Sequence, residues 1–206
     1  GLIYTNKESV SLGLVVTTAE LTRAEKSIHE MLEQFKAHPA VQPLIKGGKL
    51  LEYSGHMVAE GGYDMIPTLY DNGIVAIGDA AHLVINVGYT VRGMDLAIES
   101  AVAAAQAIVE AKAKADFSAT TLAKYKQLLD DSFVMRDMKH FSKFPHFMEN
   151  HRIFNEYPAL AEELLASIFV VDGGEPVSII KKLMAPMKRV GLLNVAKDAW
   201  KGMRAL

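Results

Sequence analysis

The spacing of apolar positions divides the chain into a first part with strand character and a last part that follows only the helical period. Residues 2–5 and 9–17 flank the polar run Asn6-Lys7-Glu8 and predict a β-hairpin, its second arm carrying Val10-Ser-Leu-Gly-Leu-Val-Val. Helix-start chemistry occupies residues 18–23. Ile28, Met31, Leu32 and Phe35 then predict a helix over residues 24–36, ended by His38-Pro39. Residues 41–45 predict a short helical turn closed by Gly47-Gly48. Residues 49–60 are a strand candidate, weakened by Gly55 and broken by Gly61-Gly62. Asp71-Asn72-Gly73 predicts a turn leading into a short buried strand, Ile74 to Ile77. From Gly93 onward Met94, Ala97, Ile98, Ala101, Ala105 and Ile108 keep helical spacing and predict a closely packed, alanine-rich face. Further helices are predicted over residues 118–134, 135–150, 158–170, 176–184 and 188–203.

Strands and one helix first, helices only afterwards, is the layout of an α+β protein or of an incomplete α/β protein. The chain has 206 residues, 50% hydrophobic and 22% charged, which suffices for a sizeable core. A net charge of −2 gives no global electrostatic case for nucleic acid. The absence of cysteine excludes disulfides and any cysteine-ligated zinc or iron–sulfur centre within the chain. There is no run of about 18 apolar residues, and no signal peptide is visible in these residues. The opening Gly1-Leu-Ile-Tyr has no initiator Met, and the expectation is a piece of a longer or processed chain.

The stretch with the most chemical content is Gly73-Ile-Val-Ala-Ile-Gly-Asp-Ala-Ala-His82 and the helix that follows it. A parallel-type strand ending in Gly78-Asp79 places a carboxylate at the strand's carboxyl end, where α/β proteins bind ligands. Gly78 allows close backbone approach, and Asp79 can accept hydrogen bonds from ligand hydroxyls. The helix beginning near Gly93 offers unpaired N–H groups and a positive dipole end. Asp79 as a simple local cap is the competing reading, because a short Gly-Asp motif is weakly specific.

Gly73-x4-Gly78-Asp79-Ala80-Ala81 resembles the second FAD-binding motif of the large two-dinucleotide-domain flavoproteins. Asn86-Val-Gly-Tyr-Thr-Val-Arg-Gly-Met-Asp-Leu-Ala-Ile98 is similar to the Fix-type flavoprotein dehydrogenases, relatives of the electron-transfer-flavoprotein:quinone oxidoreductases and geranylgeranyl reductases. Arg136-Asp-Met-Lys, Tyr157-Pro-x-Leu and the stretch from Val190 to Asp198 resemble the same group, so the likeness covers the chain. It implies FAD, with Asp79 on the ribityl chain, the Ala80–Ala81 backbone near the pyrophosphate, and Arg92-Gly93-Met94 by the pyrimidine edge of the flavin; Gly78 belongs to the same cofactor-binding set. It implies that residues 1–67 belong to an antiparallel substrate-domain sheet, 68–115 to a Rossmann-type FAD domain, and 116–206 to a helical C-terminal region. Such families begin with a strand–Gly-x-Gly-x-x-Gly–helix that holds the ADP half of FAD. That motif is absent here, so the chain is expected to be a C-terminal half that on its own is a folded, FAD-free module.

The implied activity is an FAD-dependent oxidoreductase passing electrons from a two-subunit electron-transfer flavoprotein to a ferredoxin-like protein or a quinone. The alternative is reduction of isoprenoid double bonds, as in geranylgeranyl reductases. The implied location is the cytoplasm or the inner face of a membrane. Electron transfer requires no general base, which fits the lack of a Ser/His/Asp or paired-carboxylate constellation. No catalytic and no metal-ligating residue is assigned. His82 stands where relatives commonly have glycine, either facing the flavin or packing a loop. His140, His146 and His151 are spaced by six and five residues, which does not put them on one helical face. Met135, Met138 and the other methionines read as core filler. The tail carries Lys181, Lys182, Lys188, Arg189, Lys197, Lys201 and Arg204 against Asp198, with a stripe of Val190, Leu193, Ala196, Trp200 and Met203. A helix docked on the body by that stripe is the simplest reading. An anionic membrane surface or an acidic partner is the alternative use.

Overall fold

The structure is a computed structural model that describes residues 1–88, 90–169, 173–175 and 177–205. The chain divides into two compact units, Gly1–His56 and Met57–Leu206. Helices predominate, and the described strands form three two-stranded antiparallel sheets.

In the first unit β1 (Leu2–Thr5) pairs with β2 (Val10–Gly13), in register from Leu2 opposite Gly13 to Thr5 opposite Val10. The Asn6 amide closes the turn by donating to the hydroxyls of Ser9 and Ser11. A single turn of helix, α1 (Thr18–Leu21), precedes α2 (Ile28–Ala37). Helix α2 starts four residues later than its apolar period alone predicts. Ser27 and Glu30 form a reciprocal capping box there, and that local hydrogen bonding fixes the start. Helix α3 (Gln42–Ile45) has Pro43 in its first turn and is followed by Gly47 at a positive φ. The strand expected over residues 49–60 does not form. Among the described residues no neighbouring segment supplies a ladder, and Leu50 and Leu51 lie exposed rather than alternating between core and solvent.

The second unit opens with a 3-10 turn, Gly62–Met65, and the hairpin β3 (Tyr70–Asp71) and β4 (Ile74–Val75), joined through Asn72-Gly73 with Gly73 at φ +73°. The central strand expected to be buried and parallel from Ile74 to Ile77 is thereby corrected. Its regular part is Ile74–Val75, its pairing is antiparallel, and Ile74 and Ile77 are exposed. Among the described residues the only strand beside it is the one across its own tight turn. A further 3-10 turn, Gly78–Ala81, leads to β5 (Ile85–Asn86), which pairs with β6 (Val91–Arg92). Helix α4 (Met94–Lys114) starts directly after Gly93 and runs for 21 residues.

The face of α4 that meets the core differs from the expected one. Leu96, Ser100, Ala103, Ala104, Ala107 and Ala111 are buried. Met94, Ile98 and Ile108, assigned to the packed face by spacing, point to solvent, with Met94 85% exposed. Both faces of this helix are apolar, so periodicity could not choose between them. Helix α5 (Ala119–Asp131) packs on α4, and α6 (Phe133–His140) follows after a break at Ser132. There the Ser132 backbone N–H closes α5 by donating to the Leu129 carbonyl, while its hydroxyl accepts from Val134 and opens α6. The helix expected over residues 135–150 is therefore two, α6 and α7 (Phe144–Met148), the latter with Pro145 in its first turn. Beyond the turn His151–Ile153 come α8 (Glu156–Phe169), α9 (Ile179–Val190) and α10 (Leu192–Met203). Val170 and Pro176, expected helix ends, lie outside the described residues. Helix α9 runs through Pro186 and stops at Gly191, φ +92°, rather than breaking between residues 184 and 188 as expected.

The core sits where α4, α5 and α6 meet the segment from Leu69 to Val87. Leu83, Leu96, Tyr125, Leu129, Val134 and Met138 are its most enclosed side chains.

Candidate functional site

The Gly-Asp turn is positioned by helices, not by a sheet. The Gly78 N–H donates to the Ser100 hydroxyl at 3.0 Å, and that hydroxyl donates to the Ala97 carbonyl at 2.8 Å. Two residues earlier the Tyr125 hydroxyl donates to the Ala76 carbonyl at 2.8 Å. Ser100 and Tyr125 are both fully buried. Burial pushes the Tyr125 phenol up to about 12, because the charged form has no water to solvate it. Gly78 has φ +55°, and a Cβ there would lie 3.1 Å from the Ala97 Cβ, so a side chain would push the turn off α4.

This anchoring leaves Asp79 outward. Its carboxylate is exposed and has no hydrogen bond or ion pair among the described residues. Beside it lies Gly93, the N-terminal flank of α4. A Cβ built on Gly93 would stand 3.8 Å from Asp79 Oδ1 and 3.7 Å from Val84 Cγ2. No side chain caps α4 at Gly93. A free carboxylate, a glycine without bulk and an uncapped helix start therefore share one place. That set can accept hydrogen bonds from hydroxyls and donate them to an electron-rich group.

The other expected site residues fall in three situations. Ala81 is enclosed in the core and Ala80 is exposed. Arg92 faces two carboxylates. Its Nε and Nη2 donate to Asp95 Oδ2 at 3.1 and 2.5 Å, and Nη1 donates to Asp137 Oδ2 at 2.9 Å. Asp95, followed by Asp137, raises the Arg92 pKa further, and the group is permanently charged. Met94 projects from the first turn of α4. His82 adopts the left-handed conformation, φ 56° and ψ 32°, which explains why glycine suits the position. Its Nδ1 donates to the Met65 carbonyl at 2.7 Å, the loop-packing arrangement of the two readings. Next along the loop, Asn86 accepts from the Gly88 N–H and donates to Glu60. Tyr89, inside the motif, lies outside the described residues.

Sequence reasoning missed Ser100, Tyr125 and Asp137. Ser100 carries a signal, being a polar residue among alanines at helical spacing. Nothing in the spacing of Tyr125 or Asp137 ties them to residues 76 or 92. An open cleft of about 690 Å3 lies along Tyr63, Ile66, Thr68, Tyr70, Lys126 and Met135, and none of the expected site residues lines it.

The histidines of the C-terminal half are separate. His140 meets Phe141 edge-on, and His146 lies between Asp64 and Glu149 at 3.9 and 3.8 Å. Among the described residues no group of three or more His, Cys, Asp or Glu side chains could hold a metal ion. The notable polar cluster there surrounds Asp198, 2% exposed. Its carboxylate accepts from Arg152 Nε at 2.7 Å, Arg152 Nη2 at 3.1 Å and the Tyr157 hydroxyl at 2.6 Å. The Arg152 hydrogen bonds hold the Asp198 carboxyl well below the usual carboxylate range. Among the described residues no helix is long and apolar enough to cross a membrane.

Residues 144–206 match the ETF-QO/FixC family C-terminal domain. The whole chain is 52% identical to a protein of Escherichia coli K12 named probable electron transfer flavoprotein-quinone oxidoreductase YdiS, and it spans 48% of that protein. It is 46% identical to protein FixC of Salmonella typhi, again over the whole chain and 48% of the relative. FixC of Bradyrhizobium diazoefficiens is 39% identical over 209 aligned residues. The chain thus spans about half the length of the curated relatives it matches.

Proposed function

We propose that this chain, which is related along its whole length to the ETF-QO/FixC family, supplies the flavin-facing part of an FAD site in an electron-transfer oxidoreductase. The observation that carries the reading is the free Asp79 carboxylate beside Gly93 and the uncapped start of α4. The donor set fits the cofactor. Asp79 would accept hydrogen bonds from ribityl hydroxyls, the Ala80–Ala81 backbone would lie near the pyrophosphate, Gly78 would allow close backbone approach, and the α4 N–H groups would donate to the electronegative edge of the ring. FAD, when bound, supplies chemistry that joins two-electron to one-electron transfer. Arg92 contributes mainly as a strut. Asp95 and Asp137 already balance its charge, so it holds the turn before Gly93-Met94 rather than presenting an unshielded cation.

In this reading the N-terminal half of the longer protein brings the Rossmann segment for the ADP moiety, and residues 1–67 belong to the substrate-domain sheet. The electron donor is a two-subunit electron-transfer flavoprotein, and the acceptor is a ferredoxin-like protein or a quinone. The 206-residue chain alone retains no FAD, since part of the binding surface lies outside it.

The test is the visible absorbance of a protein extended to the length of the relatives. Bound flavin at about one equivalent is the expected result, and a colourless protein overturns the proposal. Asp79→Ala in that protein is expected to weaken FAD affinity tenfold or more. Unchanged affinity would remove Asp79 from its role.

A further inference from the structure

Helix α10 is seated by Asp198, which accepts hydrogen bonds from Arg152 and Tyr157. That seating leaves Trp200 60% exposed, and Lys197, Lys201 and Arg204 are exposed with it on a basic outer face. The last turn of α10 lies against α7. A Cβ built on Gly202 would stand 3.0 Å from Phe147 Cζ, so the glycine is what lets the Phe147 ring approach the helix backbone. Where the two helices meet runs a groove of about 370 Å3, lined by the rings of Phe147 and Trp200 and by Lys143, His146, Lys201 and Arg204. Among the described residues Lys143, Lys201 and Arg204 have no ion-pair partner, and no carboxylate lines the groove. Glu149 and Asp64 face His146 at 3.8 and 3.9 Å, and Asp198 is buried and paired.

We propose that this groove binds a soluble phosphate ester with a planar aromatic body, of about mononucleotide size. Three observations select that class. The volume falls within the range of small-molecule sites, about 300–1,000 Å3. Three unopposed cations converge on one recess and complement a phosphate dianion. Arg204 can grip two of its oxygens at once, and the lysines add point charges. Trp200 and Phe147 offer ring surface that a planar body covers by stacking. A bare anion would leave the Trp200 ring in water, and a neutral aromatic would leave the cations unmatched. The groove shares no lining residue with the Gly78–Ala81 turn or with Arg92-Gly93-Met94, so the inference stands apart from the flavin reading.

Trp200 is the sole tryptophan of the chain, so its emission reports this groove. The probe is adenosine monophosphate, titrated into the 206-residue chain beside its two parts, adenosine and inorganic phosphate. The expected result is saturable quenching of Trp200 by the nucleotide, weakened by salt, with an affinity at least tenfold above that of either part. Lys201→Gln with Arg204→Gln is expected to weaken binding about tenfold with the circular dichroism spectrum unchanged, since both side chains are exposed. Lys143→Gln, outside α10, checks the charge requirement independently and is expected to weaken binding about threefold. Trp200→Ala, followed by calorimetry, is expected to weaken it about tenfold through loss of the stacked ring. Absence of saturable quenching by the nucleotide overturns the proposal, as does binding that none of the charge variants changes. Adenosine or inorganic phosphate binding as tightly as the nucleotide also overturns it, because one half of the required chemistry would then be idle. Quenching by anionic phospholipid vesicles or by polyglutamate without quenching by the nucleotide overturns it too, and would assign the groove to a surface or to an acidic protein.

Discussion

The body formed by α4, α5 and α6 and the C-terminal assembly of α8, α9 and α10 are both helical, yet they are held together by different physics. The body buries Leu96, Leu122, Tyr125, Leu129, Val134 and Met138 almost completely. In the C-terminal assembly α8 fully buries no residue, α9 buries Pro186, and α10 buries Asp198. Apolar burial is non-directional and grows with area, so the body resists small shifts by close packing. The clamp of Arg152, Tyr157 and Asp198 is directional and charged, so it specifies one seating of α10 but depends on every partner being present. The half of the molecule that carries the Gly-Asp turn is thus set by packing, and the half with the basic outer face is set by an ionic joint.

The largest expected effect comes from breaking the packed side. Leu129→Ala should cost about 2–5 kcal/mol of unfolding free energy, read from the urea midpoint, because it leaves a cavity in a closed site. A loss under 1 kcal/mol would mean that the body is not the packed half. Asp198→Asn should be smaller and local, about 1–3 kcal/mol. Amide exchange should quicken across residues 192–203 while α5 keeps its protection. Uniform quickening would join the two regions into one cooperative unit.

Acid sharpens the same contrast. The folded-state pKa of Asp198 is depressed, so its contribution is fully present above the unfolded value of about 3.9 and is lost as pH falls through the folded value. Amides of α10 should lose protection below about pH 4 before those of α5, and Asp198→Asn should remove that step. Tyr125→Phe should cost about 1 kcal/mol by leaving the Ala76 carbonyl without its donor. The raised Tyr125 pKa contributes fully below the unfolded value of about 10 and is lost as pH rises toward about 12, so the variant should be less sensitive to alkali over that range. The smallest effect is expected from His82→Gly. Relief of the left-handed backbone and loss of the bond to Met65 should nearly cancel, leaving a change within about 1 kcal/mol.

Local chemistry was legible in the sequence wherever it was decided locally. The hairpin at Asn6, the turn at Asn72-Gly73 and the helix start at Gly93 follow from turn and breaker residues. The convergence of Asp79 with Gly93 was legible because a motif placed both at the edges of one loop. What depended on distant partners was not legible. Both sides of α4 offer apolar residues, and the choice between them was made by where α5 and the loop lie. The α10 stripe looked like a packing face, but the buried ion pair from Arg152, 46 residues away, seats the opposite side. Ile74 to Ile77 looks like a core strand, but its pairing stops where the strand across its tight turn stops. Tertiary partners decided each of these, and a single sequence does not display them.

Ser100 and Tyr125 grip the main chain on either side of Ile77 from below. The conformational freedom of that turn is therefore surrendered when the helices assemble, before any ligand arrives. In the proposed flavin site, a cofactor reaching Asp79 would meet a carboxylate whose backbone is already in place, and little of its association free energy would go to ordering the loop. On that proposal folding and recognition would be separated in time at this point, and a variant that frees the turn should slow or weaken capture of the cofactor without altering a single group that touches it.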